Sequence, residues 1–339
     1  MQGQVYKIHS DFYYVNTTNG IYECKLREII KKQKFEVYVG DYVEIDQIIE
    51  ESKQAAIAKI LPRENCISKP KAANITQAII VASIKNPELD FEQLNRYIAH
   101  CEYHKVKPIL CFNKIDLDKN KKITTQIESI YKPLNYRIIF TSALKNIGIS
   151  ELERQLEDHV SIFCGASGVG KSSIINTLAK GLKLKTKEVS SKLKRGVHTT
   201  RHCEIIQIEE NVAVVDTPGF SNLKFNFLLP TDIQNLFPEI KEKGKLCKFN
   251  NCLHTTETGC NVKENLDEID STRFDSYIKF VDEAQEYKTK ITYGGTKTES
   301  KTKINKDTVM TKISSKKRNT SRKTNKQEIY KTIKEAKNG

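Results

Sequence analysis

Four short stretches of this chain have the residue types and spacing to do chemistry. Gly165-Ala166-Ser167-Gly168-Val169-Gly170-Lys171-Ser172 has the pattern of a loop that cradles phosphate. Its glycines let backbone close around an anion, its amides and a following helix N-terminus face the oxygens, and Lys171 adds a point positive charge. Ser172 offers a hydroxyl to Mg²⁺, with Ser173 beside it on the same turn. About fifty residues on, Val212-Ala213-Val214-Val215 runs into Asp216-Thr217-Pro218-Gly219. Asp216 is thereby placed as a second Mg²⁺ partner and the Gly219 amide as a γ-phosphate contact.

Asn113-Lys114-Ile115-Asp116 can read a guanine base. A carboxylate in that place accepts from both the ring N1–H and the exocyclic amine, donors that adenine does not present together. Thr141-Ser142-Ala143 ends the next apolar run, and Ser142 and Ala143 are expected to support the base. In the familiar order of guanine-nucleotide proteins the phosphate loop comes first; here the base-reading motif leads it by about fifty residues. The fourth stretch is Cys247-x4-Cys252-x-His254-x5-Cys260. Four soft ligands in fourteen residues can wrap one tetrahedral Zn²⁺ and leave no open position, so a structural ion is expected. Cys24, Cys66, Cys101, Cys111, Cys164 and Cys203 are isolated, and most of them read as small buried hydrophobes.

These motifs need elements to hold them. Val160–Cys164 reads as a strand and 171–180 as a helix stopping at Gly181. Strands are also expected over 78–82, 108–112 and 136–140, with helices over 89–98 and 149–156, the latter N-capped by Ser150. Alternating strand and helix argues for a parallel sheet covered on both faces, with ligand at the strand carboxyl ends. Residues 1–65 alternate in short strands (3–8, 12–16, 21–26 and 42–45) with turn signals such as Thr18-Asn19-Gly20, the pattern of a small all-β barrel. Around its third strand lie Lys25, Arg27, Lys31, Lys32 and Lys34, the candidate RNA phosphate contacts.

The chain has 339 residues and a net charge of +14. From Lys288 to Gly339 there are sixteen Lys or Arg against four acidic residues, so +12 of the total sits in this tail. Rich in Thr, Ser and Asn, it is expected to be disordered and to suit RNA contact. No run approaches the ~20 apolar residues of a membrane helix and no leader opens the sequence, so a cytoplasmic protein with no membrane partner is expected.

The reordered set of motifs resembles the circularly permuted GTPases. Its flanks resemble one family, the ribosome small subunit-dependent GTPases of bacteria (RsgA-type), over roughly residues 1–287. The markers are Val39-Gly40-Asp41-Tyr42-Val43, Leu61-Pro62-Arg63-Glu64-Asn65, Arg195-Gly196-Val197-His198-Thr199-Thr200 and the cysteine cluster. The resemblance implies a multidomain chain: an OB-fold barrel (1–65), a central α/β permuted P-loop GTPase domain (66–225), a zinc-binding α domain (226–287) and the basic tail (288–339). It implies GTP hydrolysis stimulated by the 30S subunit, late in that subunit's assembly, with 16S rRNA as partner. A monomer is expected. Arg27 matches a family position, although Glu28 replaces the glycine usual after it. Phe220 follows Gly219 where familiar GTPases carry a water-orienting glutamine. His198 in the first switch is the candidate catalytic group beside Lys171, and Thr199 or Thr200 is expected to close on Mg²⁺. An RNA-binding assembly chaperone that hardly hydrolyses GTP, or a permuted GTPase of the large subunit, are the alternatives.

Overall fold

The computed structural model describes residues 1–32, 35–68, 71–181, 204–209, 212–216, 223–293, 302–305 and 308–310. The N-terminal strands are β1 (Gln2–His9), β2 (Phe12–Thr17), β3 (Gly20–Leu26), β4 (Tyr42–Ile49) and β5 (Gln54–Ile60), with the short helix α1 (Glu28–Lys32) after β3. Their order is β1-β2-β3-β5-β4, and β4 pairs back onto β1 with Gly3 opposite Val43, so the barrel closes and leaves no free edge within it. One residue in two points inward: Val5, Val15, Tyr22, Cys24, Val43, Ile45 and Ile57 fill the interior. That alternation is the cause of the barrel, since neither face of a flat five-stranded sheet would be sheltered.

A small ribbon, β6 (Cys66–Ser68) and β7 (Lys71–Ala73), leads into the second unit. There β8 (Gln77–Ser83), α2 (Phe91–His104), β9 (Lys107–Asn113), α3 (Lys122–Tyr131), β10 (Arg137–Phe140), α4 (Ile149–Leu156), β11 (His159–Cys164), α5 (Lys171–Gly181), β12 (Glu204–Glu209) and β13 (Val212–Asp216) follow in turn. The sheet order is β10-β9-β8-β11-β13-β12, parallel except for β12. The central strands are apolar on both faces: Ile80 and Leu110 face one cluster, Ile79, Val81 and Ile109 the other. β12 then pairs with β1 of the barrel at Glu204 and Lys7, which joins the two sheets.

Helix starts follow local chemistry. Asp90 caps α2 by accepting the Gln93 N–H at 3.0 Å. The expected Ser150 cap of α4 is corrected: the cap position is Gly148, at φ 68°, and Ser150 lies inside the first turn. A Cβ at Gly148 would sit 2.0 Å from the Phe140 carbonyl oxygen, so the close approach of this turn to β10 decided the start over side-chain capping.

The C-terminal unit holds α6 (Pro238–Gly244), α7 (Asn261–Glu264) and the long helix α8 (Ser271–Tyr293), preceded by a 3₁₀ segment at Pro230–Leu236. Phe225, Phe237, Tyr277 and Phe280 make its core, and Ala99 of α2 joins it, so α2 packs on the sheet with one face and on this unit with the other. Of the basic stretch from Lys288, the described residues are the end of α8, where Glu286 and Lys290 pair one turn apart, and two antiparallel strands, β14 (Thr302–Asn305) and β15 (Thr308–Met310).

A buried polar hub joins the units. Arg273 of α8 is fully buried, pairs with Glu239 at 2.7 Å and donates to Asn95 Oδ1 of α2 at 3.2 Å. Tyr131 of α3 donates to the same oxygen at 2.8 Å, while Asn95 Nδ2 donates to Thr272 O and Ser276 Oγ. Removing one member of a buried pair strands the other. Arg273→Ala is therefore expected to cost about 3–5 kcal/mol in chemical denaturation; a loss below about 1 kcal/mol, the range of surface pairs, would show that the hub holds nothing.

Candidate functional site

The phosphate loop runs from the end of β11 into α5, and two of its glycines are there for want of space. At Gly165 (φ 141°) a Cβ would lie 2.1 Å from the Val81 carbonyl oxygen. At Gly170 (φ 97°) it would lie 2.2 Å from Asn113 Nδ2. Lys171 Nζ donates to the Gly165 and Ala166 carbonyls, both at 2.7 Å. Burial pushes its ammonium below the usual lysine range, so a phosphate brought to it would recover solvation that the protein has taken away. Ser172 and Ser173 are exposed at the first turn of α5, open to a ligand.

The base-reading loop abuts this one because β9 lies one strand beyond β8, which itself pairs with β11. Asn113 is buried and Asp116 half-buried. Asn113 Nδ2 donates to the Val169 carbonyl, within the phosphate loop, at 3.0 Å. Its Oδ1 accepts from the Ala143 N–H at 3.1 Å and from Thr141 Oγ1 at 3.4 Å. Lys114, in left-handed backbone at φ 64°, donates to the Gly168 carbonyl at 2.8 Å and also to the Asn86 carbonyl. Asp116 Oδ1 accepts from Ser142 Oγ at 2.5 Å. Asn113, Lys114, Asp116, Ser142, Ala143 and the loop from Gly165 to Ser173 thus converge on one edge of the sheet. Thr141, the first residue of the Thr141-Ser142-Ala143 motif, steadies Asn113 with its hydroxyl, a bond that the motif did not announce. Beside the loop lies a cleft of about 270 Å³, bordered by Ser83, Leu89, Asp90, Tyr97, Ser167 and Val169 among others.

Asp216 ends β13, one strand from β11 and at the same end of the sheet, as read from its backbone. His198, Thr199, Thr200, Gly219 and Phe220 lie outside the described residues.

The cysteine cluster is assembled around a point. Cys247 Sγ lies 3.6 Å from His254 Nδ1 and 3.9 Å from Cys260 Sγ; His254 Nδ1 lies 3.3 Å from Cys260 Sγ. All four ligand atoms, including that of Cys252, fall within 4.8 Å of one another. A tetrahedral zinc ion, with bonds of about 2.3 Å to sulfur and 2.0 Å to nitrogen, sets its ligands roughly 3.5–3.8 Å apart, so the donor set fits. Burial pushes the Cys252 thiol up to about 12, a cost that a dication reverses by binding the thiolate. Desolvation lowers the His254 pKa, which keeps the imidazole in its ligating neutral form. Around the cluster, Gln234 Oε1 is 3.3 Å from His254 Nε2, and the Glu257 carboxylate accepts the amides of Leu253, Thr255 and Thr256. Gln234 has no spacing signal in the sequence, because it meets His254 only through the fold, whereas Glu257 braces its own loop from three residues away.

On the barrel, Lys25 Nζ stands 5.0 Å from the Phe12 ring centre, and Lys32 is exposed. Arg27 pairs with Asp46 at 2.6 Å and Lys31 with Glu28 at 3.0 Å, so part of this basic cluster is already matched by carboxylates. Lys34 lies outside the described residues.

The RsgA N-terminal domain model matches residues 2–57, and the RsgA GTPase model matches residues 60–226. A small ribosomal subunit biogenesis GTPase RsgA from Clostridium acetobutylicum is 41% identical over 280 residues, covering 82% of this chain and 96% of that protein. Its namesake from Clostridium kluyveri is 40% identical over 286 residues, with 84% and 98% covered. Among solved structures, YjeQ from Thermotoga maritima superposes with a TM-score of 0.72 at 33% identity, over 84% of this chain and 98% of that one. YloQ, described as a circularly permuted GTPase, gives 0.70 at 29% identity, over 84% and 95%. With its barrel, its reordered nucleotide motifs and its cysteine–histidine cluster, the chain belongs to the RsgA family of circularly permuted GTPases.

Proposed function

We propose that this GTPase works on the small ribosomal subunit, binding the 30S particle and its 16S rRNA and hydrolysing GTP under that particle's stimulus late in assembly. The observation that carries the nucleotide half of this reading is the hydrogen bond from Asn113 to Val169, which holds the base-reading and phosphate-binding loops at a fixed separation. The ribosomal half is supported by the names of the relatives, small ribosomal subunit biogenesis GTPases that match most of this chain. Cosedimentation with 30S and 50S particles, in GTP analogue and in GDP, tests it: retention on 30S with the analogue is expected, and retention on 50S alone would move the protein to the other subunit.

In this reading Asp116 and the Ala143 backbone take the guanine, while Gly165 to Ser173 and Lys171 take the phosphates. Ser172 and Asp216 would hold Mg²⁺, which would neutralise the phosphate charge, with Thr199 or Thr200 closing on the ion and the Gly219 amide meeting the γ-phosphate. Phe220 cannot hydrogen-bond a water nucleophile, so the free protein turns over slowly. His198 supplies the missing polar group once the particle fixes the switch around it, a shift in population toward the closed loop. Cys247, Cys252, His254 and Cys260 hold one structural zinc. Lys25, Arg27, Lys31, Lys32 and Lys34 face rRNA, with Lys25 and Phe12 able to present charge and ring together. Among the described residues no helix is long and apolar enough to cross a membrane.

Asp116→Asn replaces a charged double acceptor by an amide that mismatches guanine's donors. GTP affinity is expected to fall by roughly 2–4 kcal/mol in calorimetric titration, and unchanged affinity would remove Asp116 from the site.

His198→Ala is expected to depress 30S-stimulated turnover strongly while sparing GTP-dependent binding to the particle, because the side chain acts on the transition state. Normal hydrolysis on 30S by this variant would assign the catalytic group to the ribosome.

Zinc is expected to copurify at about one ion per chain, with Cys252→Ser losing it and loosening the C-terminal unit while GTP affinity holds. Freshly purified protein without zinc would end the assignment.

A further inference from the structure

Resting on the reading of the four-residue cluster as a zinc site, we infer that Gln234 is a positioning residue of that centre: it fixes the ring of His254 so that Nδ1 faces the metal. The two ring nitrogens face different groups. Nδ1 lies 3.6 Å from Cys247 Sγ and 3.3 Å from Cys260 Sγ, while Nε2 lies 3.3 Å from Gln234 Oε1. Which end of the Gln234 amide faces the ring is settled by its other contact, since Nε2 of Gln234 donates to the Thr231 carbonyl at 3.1 Å. The oxygen is left for His254, an acceptor that requires N–H at His254 Nε2. A proton held there leaves the Nδ1 lone pair for the ion.

The pairing is enclosed rather than incidental. Gly244, at the end of α6, packs so closely that a Cβ on it would stand 2.9 Å from Gln234 Oε1 and 3.3 Å from His254 Nε2. His254 has left-handed backbone at φ 59°, which is uncommon outside glycine. Glu257 holds the turn by accepting the amides of Leu253, Thr255 and Thr256 on both sides, and Tyr277 donates to the Leu253 carbonyl at 3.1 Å. The loop sets the backbone, and Gln234 sets the ring. Gln234 belongs to the 3₁₀ segment Pro230–Leu236, whose Ile233 and Leu236 are buried in the C-terminal core. The ion is thereby tied to the stretch of chain that comes down from the GTPase sheet.

The test measures zinc affinity of the full chain by competition with a chromogenic chelator, with GTP binding as the control for folding. Gln234→Leu removes the acceptor at similar size, and about 10–100-fold weaker zinc binding is expected with GTP affinity unchanged. Gln234→Glu keeps an acceptor and is expected to bind zinc no more weakly than the parent chain. In a His254→Cys background, where no ring remains to orient, Gln234→Leu is expected to have no further effect. The same loss in both backgrounds would make Gln234 a packing residue and overturn the inference. Should His254→Cys hold no zinc, Co²⁺ spectra of the single variants decide: the d–d bands should shift with Leu and not with Glu, and identical spectra overturn it. A parent chain without zinc sinks the zinc reading itself; a parent with zinc and an unaltered Gln234→Leu sinks this inference alone.

Discussion

The carboxamide of Asn113 is the pivot of this molecule. One amide joins the guanine loop to the phosphate loop through Val169, and its oxygen gathers Ala143 and Thr141 from the next strand end. No water can stand in for it, because Asn113 is buried and the Gly170 backbone leaves no room for even a methyl group beside it. A nucleotide spans base and phosphates at a fixed length, so a site for it needs two loops from different parts of the chain held at that length. The neighbouring of β9, β8 and β11 in a parallel sheet provides the separation, and the Asn113 bond locks it. Parallel strands place all their carboxyl ends on one edge, which is why both loops open to the same side.

That geometry is indifferent to where the chain begins. The domain is entered at β8 and left after β13, and both strands flank β11 in the middle of the sheet. Permutation thus leaves every strand pair intact while moving the points of attachment. The chain leaves for the C-terminal unit from the strand that ends in Asp216, and enters from the barrel through a clamped joint. At that joint Arg63 is bonded to the fully buried Asp41 at 2.6 Å and stacked 4.2 Å from the Tyr38 ring. Asn74 donates to the Gly40 carbonyl, and a Cβ at Gly40 (φ 95°) would collide with the Ala73 carbonyl. Val39-Gly40-Asp41 and the Arg63 segment are therefore one structural device seen in two places of the sequence. Each appended unit is held by buried polar bonds, Asp41–Arg63 on one side and Arg273–Asn95–Glu239 on the other. Breaking either bond would leave a buried charge unpaired, which makes a shifted partner costly.

The charge of the chain follows the same division of labour. Nearly all of the +14 lies beyond Lys288, in the stretch outside both matched family models. On the barrel, by contrast, Arg27 and Lys31 are paired with Asp46 and Glu28, so any anionic partner there would compete with pairs already made. Exposed pairs of this kind are weak and screened by salt, and a polyanion can displace them.

The amino-acid sequence determined the elements and the chemistry of the loops, because those depend on neighbours along the chain. The apolar run into Gly165 and the helix after Lys171 came out as β11 and α5. The alternation in residues 1–60 became a five-stranded closed barrel, and the ligands from Cys247 to Cys260 met at one point because fourteen residues cannot carry them far apart. The reordered motifs already told of a permuted domain. The start of α4 was not legible, since Gly148 caps it only because β10 passes within contact distance. Gln234 beside His254 and Asn95 beneath Arg273 were likewise silent, and the bond from Thr141 to Asn113 was not legible within its motif. Such partners come from segments 20 to 178 residues apart, and a polar side chain in a sequence gives no sign of which buried atom it will meet. Only the packing of the three units made those meetings, and they decide how rigidly each legible motif is held.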